Sequence, residues 1–148
     1  MEIVTAKTAG FCFGVKRAVD AVYEAINNGK KIATLGDIIH NSQVIDDLKE
    51  HGVYAYDSPE EIPEDCCVVI RAHGVGKDIY ERIGGRECID LTCPFVKKFH
   101  NIVEKYYKEG YQIVIVGDKD HPVVKGINGW CGYEAIVIDS EIAKIDKK

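Results

Sequence analysis

The segment that decides the fold is Cys67-Val68-Val69-Ile70-Arg71, which passes through Ala72-His73-Gly74-Val75-Gly76 into a helical pattern over residues 77–83. The first five residues form a short apolar run rich in β-branched side chains, so they predict a buried strand. A strand of this kind that leads through a loop into a helix is typical of a parallel sheet covered on both faces. We therefore expect an α/β protein.

The same alternation of strands and helices extends in both directions along the chain. Strands are predicted at residues 2–6, 31–35, 67–71, 87–91, 111–116 and 134–138, and helices at 15–26, 42–51, 77–83 and 95–109. Residues 57–63 form a polar, linker-like turn, and residues 140–148 begin a further helix. A new strand-helix series starts near Cys93, which predicts a first α/β lobe over residues 1–93 and an incomplete second lobe over 94–148.

Composition restricts the kinds of partner that the chain can have. It has 148 residues, 46% of them hydrophobic and 29% charged, with a formal net charge of −5. Lys and Arg are spread without a basic stripe, so we do not expect nucleic acid as a partner. No apolar run approaches the roughly 20 residues that span a bilayer, and the first residues do not resemble a signal peptide. These features predict a cytoplasmic protein that does not bind a membrane.

Five side chains suited to chemistry fall where a predicted strand ends and a helix begins: Cys12, His40, His73, Cys93 and His121. The carboxyl ends of parallel strands share one edge of a sheet, and helix N-termini point toward that edge. Free N–H groups at a helix start favour bound anions and thiolates, and histidines add charge-assisted hydrogen bonds. The pattern predicts a site for a metal and a phosphate group.

Simpler interpretations apply to some of these residue types. A single histidine on such a loop is more often exposed or a helix cap than a ligand. His51 is expected to end a helix, and His100 lies inside one. The remaining cysteines are expected to be structural, because small thiols suit buried positions: Cys66, Cys67, Cys88 and Cys131. Zinc is the weaker metal interpretation, since the chain contains no Cys-x-x-Cys pair.

Five motifs, in order and spacing, resemble the 4-hydroxy-3-methylbut-2-enyl diphosphate reductase family: Gly10-Phe11-Cys12-Phe13-Gly14-Val15, Ile39-His40-Asn41, Arg71-Ala72-His73-Gly74-Val75, Asp90-Leu91-Thr92-Cys93-Pro94 and His121-Pro122. The resemblance covers essentially the whole chain and about the N-terminal half of the family's length. It implies an enzyme of three similar α/β lobes with pseudo-threefold symmetry around a central [4Fe-4S] cluster. Each lobe supplies one cysteine, and one iron stays open for the substrate.

The resemblance also implies a role for each of the five side chains. Cys12 and Cys93 would be two of the three cluster ligands, and His40, His73 and His121 would face the diphosphate of the substrate. Soft thiolates suit such a cluster. The implied reaction ends the methylerythritol phosphate route to isoprenoids. Two electrons from a ferredoxin or flavodoxin and two protons, one to the departing hydroxyl and one to carbon, would release water and give isopentenyl and dimethylallyl diphosphates.

The chain departs from the family pattern in two respects. The family has His-Pro-Glu-Val where this chain has His121-Pro122-Val123-Val124, so no residue takes the role of the proton-donating glutamate. No cysteine matches the third ligand. Two other hypotheses therefore stay open, a non-catalytic module that binds a diphosphate, and a zinc- or thiol-dependent hydrolase that uses Cys12, Cys93 and a histidine. An uncovered lobe interface would also favour self-association.

Overall fold

The structure is a computed structural model that describes residues 2–7 and 9–139. Its elements in chain order are α1 (Phe13–Asn27), β1 (Ile32–Leu35), α2 (Ser42–Glu50), β2 (Tyr54–Tyr56), β3 (Cys67–Ile70), α3 (Lys77–Ile83), β4 (Cys88–Asp90), α4 (Pro94–Lys108), β5 (Val114–Val116), α5 (Pro122–Asn128) and β6 (Ile136–Ile138). Within this range no helix combines the length and apolar character needed to cross a bilayer. The helix expected over 140–148 lies outside the described residues.

Strands β1 to β4 form one parallel sheet, in the order β2-β1-β3-β4. In its register Leu35 of β1 lies beside Ile70 of β3, and Ile70 lies beside Asp90 of β4. The carboxyl ends of these strands therefore meet at one edge. The predicted parallel α/β fold is confirmed.

Both faces of this sheet are covered. Val69 packs with Val22 of α1 and Leu48 of α2 on one face. On the other face Val68 and Ile70 pack with residues of α3 and of the loop before β3. Val68, Val69 and Ile70 are 0% exposed, which is why the central strand is an unbroken apolar run rather than an alternating one.

Residues 2–6 do not form the predicted strand. Ile3 and Val4 are 80% and 81% exposed, and no described strand pairs with this segment. An isolated apolar run gains neither ladder hydrogen bonds nor cross-strand contacts, so its β propensity alone does not make it a strand. Residues 57–63 also differ from the expected linker, because a 3₁₀ turn at Pro59–Glu61 buries Pro59 and brings Ile62 into the core.

Strands β5 and β6 form a separate parallel pair, with Val114 beside Ile136. The apolar run over 111–116 yields only a short strand, and Val114 and Val116 are 45% and 81% exposed. This strand is therefore less buried than its apolar sequence predicts. One sheet lies on each side of residue 93, and the proposed lobe boundary there stays a prediction.

Candidate functional site

The rings of His40, His73 and His121 form one cluster, which we call the histidine cluster. The ring centroids of His40 and His73 are 4.7 Å apart, and those of His73 and His121 are 6.3 Å apart. His40 follows β1, His73 follows β3, and His121 is the N-cap of α5. His40 and His121 are exposed, and His73 is partly buried. Several imidazoles at one strand-end edge can contact several oxygens of one anion.

His121 has a defined tautomer in this arrangement. Its Nδ1 accepts a hydrogen bond of 3.2 Å from the backbone N–H of Val123. The proton of the neutral ring is therefore on Nε2, where it is free to be donated to a ligand. Val123 itself lies in the first turn of α5 and has an apolar side chain that cannot transfer a proton.

His73 is held neutral in the absence of a ligand. Burial lowers its pKa to about 4, and the neighbouring positive charges of Arg71, His40 and His121 act in the same direction. Its Nδ1 is buried and has no hydrogen-bond partner among the described residues. A buried polar atom without a partner costs about 1–3 kcal/mol. A bound anion would offset the repulsion and favour a protonated ring that can donate hydrogen bonds.

Both candidate thiols lie on residues at helix starts, and neither forms a side-chain capping hydrogen bond. Cys12 is the N-cap of α1 and Cys93 is the N-cap of α4. A Cβ added to Gly14 would lie 2.8 Å from Sγ of Cys93, so Cys93 packs directly against the first turn of α1. Gly14 thus leaves the space that allows the two helix starts to approach each other. Cys12 is exposed and Cys93 is partly exposed, so neither thiol is enclosed within the described residues.

Arg17 ties the two thiol-bearing segments together. Its Nη2 donates hydrogen bonds to the carbonyl oxygens of Leu91, at 3.0 Å, and Thr92, at 2.7 Å. The backbone N–H of Cys93 in turn donates to the carbonyl oxygen of Ala72, the residue before His73, at 2.9 Å. One hydrogen-bonded framework therefore connects α1, Cys93 and the loop between β3 and α3 that contains His73, which we call the histidine loop. Sequence reasoning missed Arg17, because an arginine on an amphipathic helix is usually a surface residue.

His100 packs against the histidine loop at Gly74. It is 1% exposed and stacks on Trp130, with ring centroids 5.0 Å apart. Gly74 has a φ of +73°, and a Cβ there would lie 2.7 Å from Cε1 of His100. Burial lowers the pKa of His100 to about 4. The sequence placed His100 in a helix but gave it no role, and a lone Gly74 indicated only a turn.

A close approach of two glycines sets α5 against the same loop. A Cβ added to Gly129 would overlap the Cα of Gly76. Next to this contact, Nε1 of Trp130 donates to the carbonyl oxygen of Val75 at 3.0 Å. These contacts fix the position of α5 and hence of the histidine at its N-terminus.

The thiols fit an iron–sulfur cluster in kind but not in number. Among residues 2–7 and 9–139, no three His, Cys, Asp or Glu side chains are grouped as they would be to hold a metal ion. Burial raises the pKa of Cys67 and of Cys131, as expected of structural thiols rather than thiolate ligands. Cys12 and Cys93 are therefore suited to be two soft ligands. A cluster held by three protein thiolates would need one further cysteine.

Fold and site together define a class, a parallel-sheet α/β protein with a histidine cluster at strand ends and two cysteines at helix starts. Comparison with known proteins narrows this class. The chain belongs to the LytB protein family, which matches residues 3–148. The family resemblance inferred from the five motifs is confirmed.

Curated relatives in this family are named 4-hydroxy-3-methylbut-2-enyl diphosphate reductase. The one from Caldanaerobacter subterraneus subsp. tengcongensis is 53% identical over 146 residues, which are 95% of this chain and 51% of the relative. The one from Clostridioides difficile is 43% identical over 141 residues, which are 93% of this chain and 50% of the relative. The chain thus spans about half the length of the curated relatives it matches.

Solved structures agree with this assignment. One is an (E)-4-hydroxy-3-methyl-but-2-enyl diphosphate reductase, described as the terminal enzyme of the non-mevalonate pathway. It is 42% identical with a TM-score of 0.76, over 96% of this chain and 52% of its own. Another, the E-1-hydroxy-2-methyl-but-2-enyl-4-diphosphate reductase from Plasmodium falciparum, is 30% identical with a TM-score of 0.82, over 89% of this chain and 42% of its own.

Proposed function

We propose that this chain supplies part of the active site of a 4-hydroxy-3-methylbut-2-enyl diphosphate reductase. The enzyme would act in the cytoplasm at the last step of the methylerythritol phosphate route and take electrons from a ferredoxin or flavodoxin. The observation that carries the proposal is the histidine cluster, with centroid distances of 4.7 and 6.3 Å, on the framework that also bears Cys93. The names of the relatives support it.

In this proposal the histidine cluster binds the diphosphate of the substrate. His121 donates from Nε2, because its Nδ1 already accepts the Val123 N–H. His73 gains a proton as the anion binds, which turns an unfavourably buried ring into a charged donor. His40, next to His73, is the exposed member that the anion meets at the edge of the cluster. Together they orient the allylic alcohol, and such positioning is a large part of catalysis.

Cys12 and Cys93 would hold two corners of a [4Fe-4S] cluster. The third thiolate would come from the part of the relatives' length that this chain does not match. When bound, such a cluster supplies electrons and an open iron for the substrate hydroxyl. The chain's own contribution is to keep both thiols at helix starts, with Gly14 leaving room for Cys93 and Arg17 holding α1 in place.

Calorimetric titration of the chain with inorganic diphosphate tests the binding part of the proposal. We expect His40→Gln, His73→Gln and His121→Gln each to weaken binding about tenfold or more, because a hydrogen bond to a charged group contributes about 1.5–3 kcal/mol. His51→Gln is the matched control, since His51 is an exposed histidine at the end of α2. Unchanged affinity in all three cluster variants would show that the cluster does not bind the diphosphate.

A second candidate function is a non-catalytic diphosphate-binding module. Val123 favours it, because this position in the first turn of α5 lacks the carboxylate of the family motif. A chimera in which this chain replaces the matching half of the Caldanaerobacter relative separates the two candidates. A reductase segment will allow the chimera to bind iron and acid-labile sulfide after anaerobic reconstitution, whereas a binding module will leave it without either.

A further inference from the structure

Arg71 is a partly buried cation without an ion pair in the described part of the chain. Its Nε is buried and has no hydrogen-bond partner among the described residues. The guanidinium packs over Gly36, where any Cβ would overlap Nη1, so the absence of a side chain at Gly36 makes room for it. Asp37 and Asp57 act on it only through longer-range attraction, while burial lowers its pKa. Burying part of a guanidinium without a hydrogen-bond or ion-pair partner costs free energy.

Arg71 lines a cavity of about 450 Å³ at the carboxyl ends of β1 and β3. Lys125 of α5 lines the same cavity, and Asp57 is the carboxylate among the lining residues, so two of the three charged lining residues are cations. Lys125 also pairs with Asp120 at 3.3 Å, but both side chains are exposed and such a pair stabilises little. None of the three histidines of the histidine cluster is among the lining residues, although Gly74 and Pro122, which line the cavity, are next to His73 and His121 in the chain.

The remaining walls of the cavity are largely apolar. Leu35, Val75, Ile79 and Pro122 contribute them. A cavity of this volume, with a few charged groups among apolar walls, is typical of small-molecule sites. Arginine suits phosphate in particular, because its planar guanidinium donates two parallel hydrogen bonds. The lining thus combines two cations with apolar walls.

We propose that this cavity binds a second ligand, a small phosphate-bearing molecule with a short apolar chain. Arg71 and Lys125 bind the phosphate, and Leu35, Val75 and Ile79 contact the chain. The proposal goes beyond the proposed function, because the residues that line this cavity are not those of the histidine cluster, although Arg71 lies close enough to His73 to lower its pKa.

Calorimetric titration with dimethylallyl diphosphate tests this site in a His40→Gln/His121→Gln background, which removes two of the three rings of the histidine cluster and leaves His73. We expect this double variant to retain one binding site, and the addition of Arg71→Met or Lys125→Met to weaken it at least tenfold. Lys119→Met is the matched control, an exposed lysine outside the cavity. Inorganic diphosphate should bind more weakly than dimethylallyl diphosphate, by about fourfold for each CH₂ that the apolar walls bury.

Loss of all binding in the double variant would overturn the proposal. So would binding that neither Arg71→Met nor Lys125→Met weakens. Lys125 lies on the exposed side of its helix, so Lys125→Met decides the question if Arg71→Met does not fold. If the double variant binds as tightly as the unmodified chain and Arg71→Met abolishes binding, the cavity site stands and the proposed role of the histidines fails.

Discussion

Under the proposed function, Val123 stands where the family motif has a proton-donating glutamate. It lies two residues after His121, in the first turn of α5, beside the histidine cluster. A positioned general acid typically contributes about 10²–10⁴ in rate. We therefore predict that Val123→Glu raises the turnover of the chimera about a hundredfold or more, measured as conversion of the allylic diphosphate. Val123→Gln, with the same shape and no acid, should give no gain. Equal turnover of the Glu and Gln variants would contradict a proton-transfer role.

His100 makes the fold sensitive to acid. Both of its ring nitrogens are buried without hydrogen-bond partners in the described range, and its pKa falls from an ordinary 6.5 to about 4. The unfolded chain therefore binds a proton more readily, so this contribution is full above pH 6.5 and is lost as the pH falls toward 4. The loss approaches about 3 kcal/mol.

Urea unfolding at pH 7 and pH 5 checks the role of His100. We expect His100→Phe, which keeps the stack on Trp130, to retain stability at pH 7 and to reduce the loss between the two pH values. His73 shifts in the same direction, so part of the loss will remain. His51→Gln serves as the control. An unchanged pH dependence in His100→Phe would contradict this account.

At the scale of elements, the contact between α1 and the end of β4 depends on Arg17. Arg17→Met removes two hydrogen bonds and leaves the carbonyls of Leu91 and Thr92 without this donor. We predict a loss of about 1–3 kcal/mol in the free energy of unfolding, measured with urea. Lys16→Met is the neighbouring control, because its ion pair with Asp20 is exposed and contributes about 0.5 kcal/mol or less. Equal effects of the two substitutions would show that Arg17 does not tie these elements together.

Sequence patterns predicted the elements best where the local chain alone determines them. The helix Lys77–Ile83 has the predicted bounds, whereas residues 2–6 have strand composition but no partner strand in the described range. Helix α5 was not predicted, because its short sequence has no clear helical periodicity. Its position depends on packing, including the contact between Gly129 and Gly76.

The candidate site, too, could be predicted only in part from the sequence. The strand ends predicted that His40, His73 and Cys93 share one edge, because they follow β1, β3 and β4 of one parallel sheet. The same reasoning does not place Cys12, which follows no described strand, or His121, which follows β5 of the separate strand pair. Arg17 was not predictable, since its acceptors lie 74 and 75 positions away along the chain. The support that His100 gives to Gly74 likewise arises only from packing in three dimensions.

At the scale of the whole molecule, α4 presents an apolar stripe that no described element covers. Its members recur on one helical face and are 70%, 55%, 41% and 41% exposed: Phe95, Phe99, Ile102 and Tyr106. A contiguous apolar patch of this kind favours association. We predict that the chain self-associates at micromolar concentration in sedimentation velocity runs, and that Phe95→Ser/Phe99→Ser restores a monomer. Tyr54→Ser, at an exposed position on β2, should not. A chain that is monomeric throughout would contradict this prediction.

The proposed function requires Cys12 and Cys93 of this chain to be ligands of an iron–sulfur cluster beside a diphosphate site. The most direct test is the iron and acid-labile sulfide content of the reconstituted chimera, compared with its Cys12→Ser, Cys93→Ser and Cys88→Ser variants. We expect about four iron and four sulfide per chimera, a large loss with Cys12→Ser or Cys93→Ser, and no change with Cys88→Ser, whose thiol lies on an exposed residue away from both helix starts. Full iron and sulfide in the Cys93→Ser chimera, or zinc without sulfide in the unmodified one, would contradict the account.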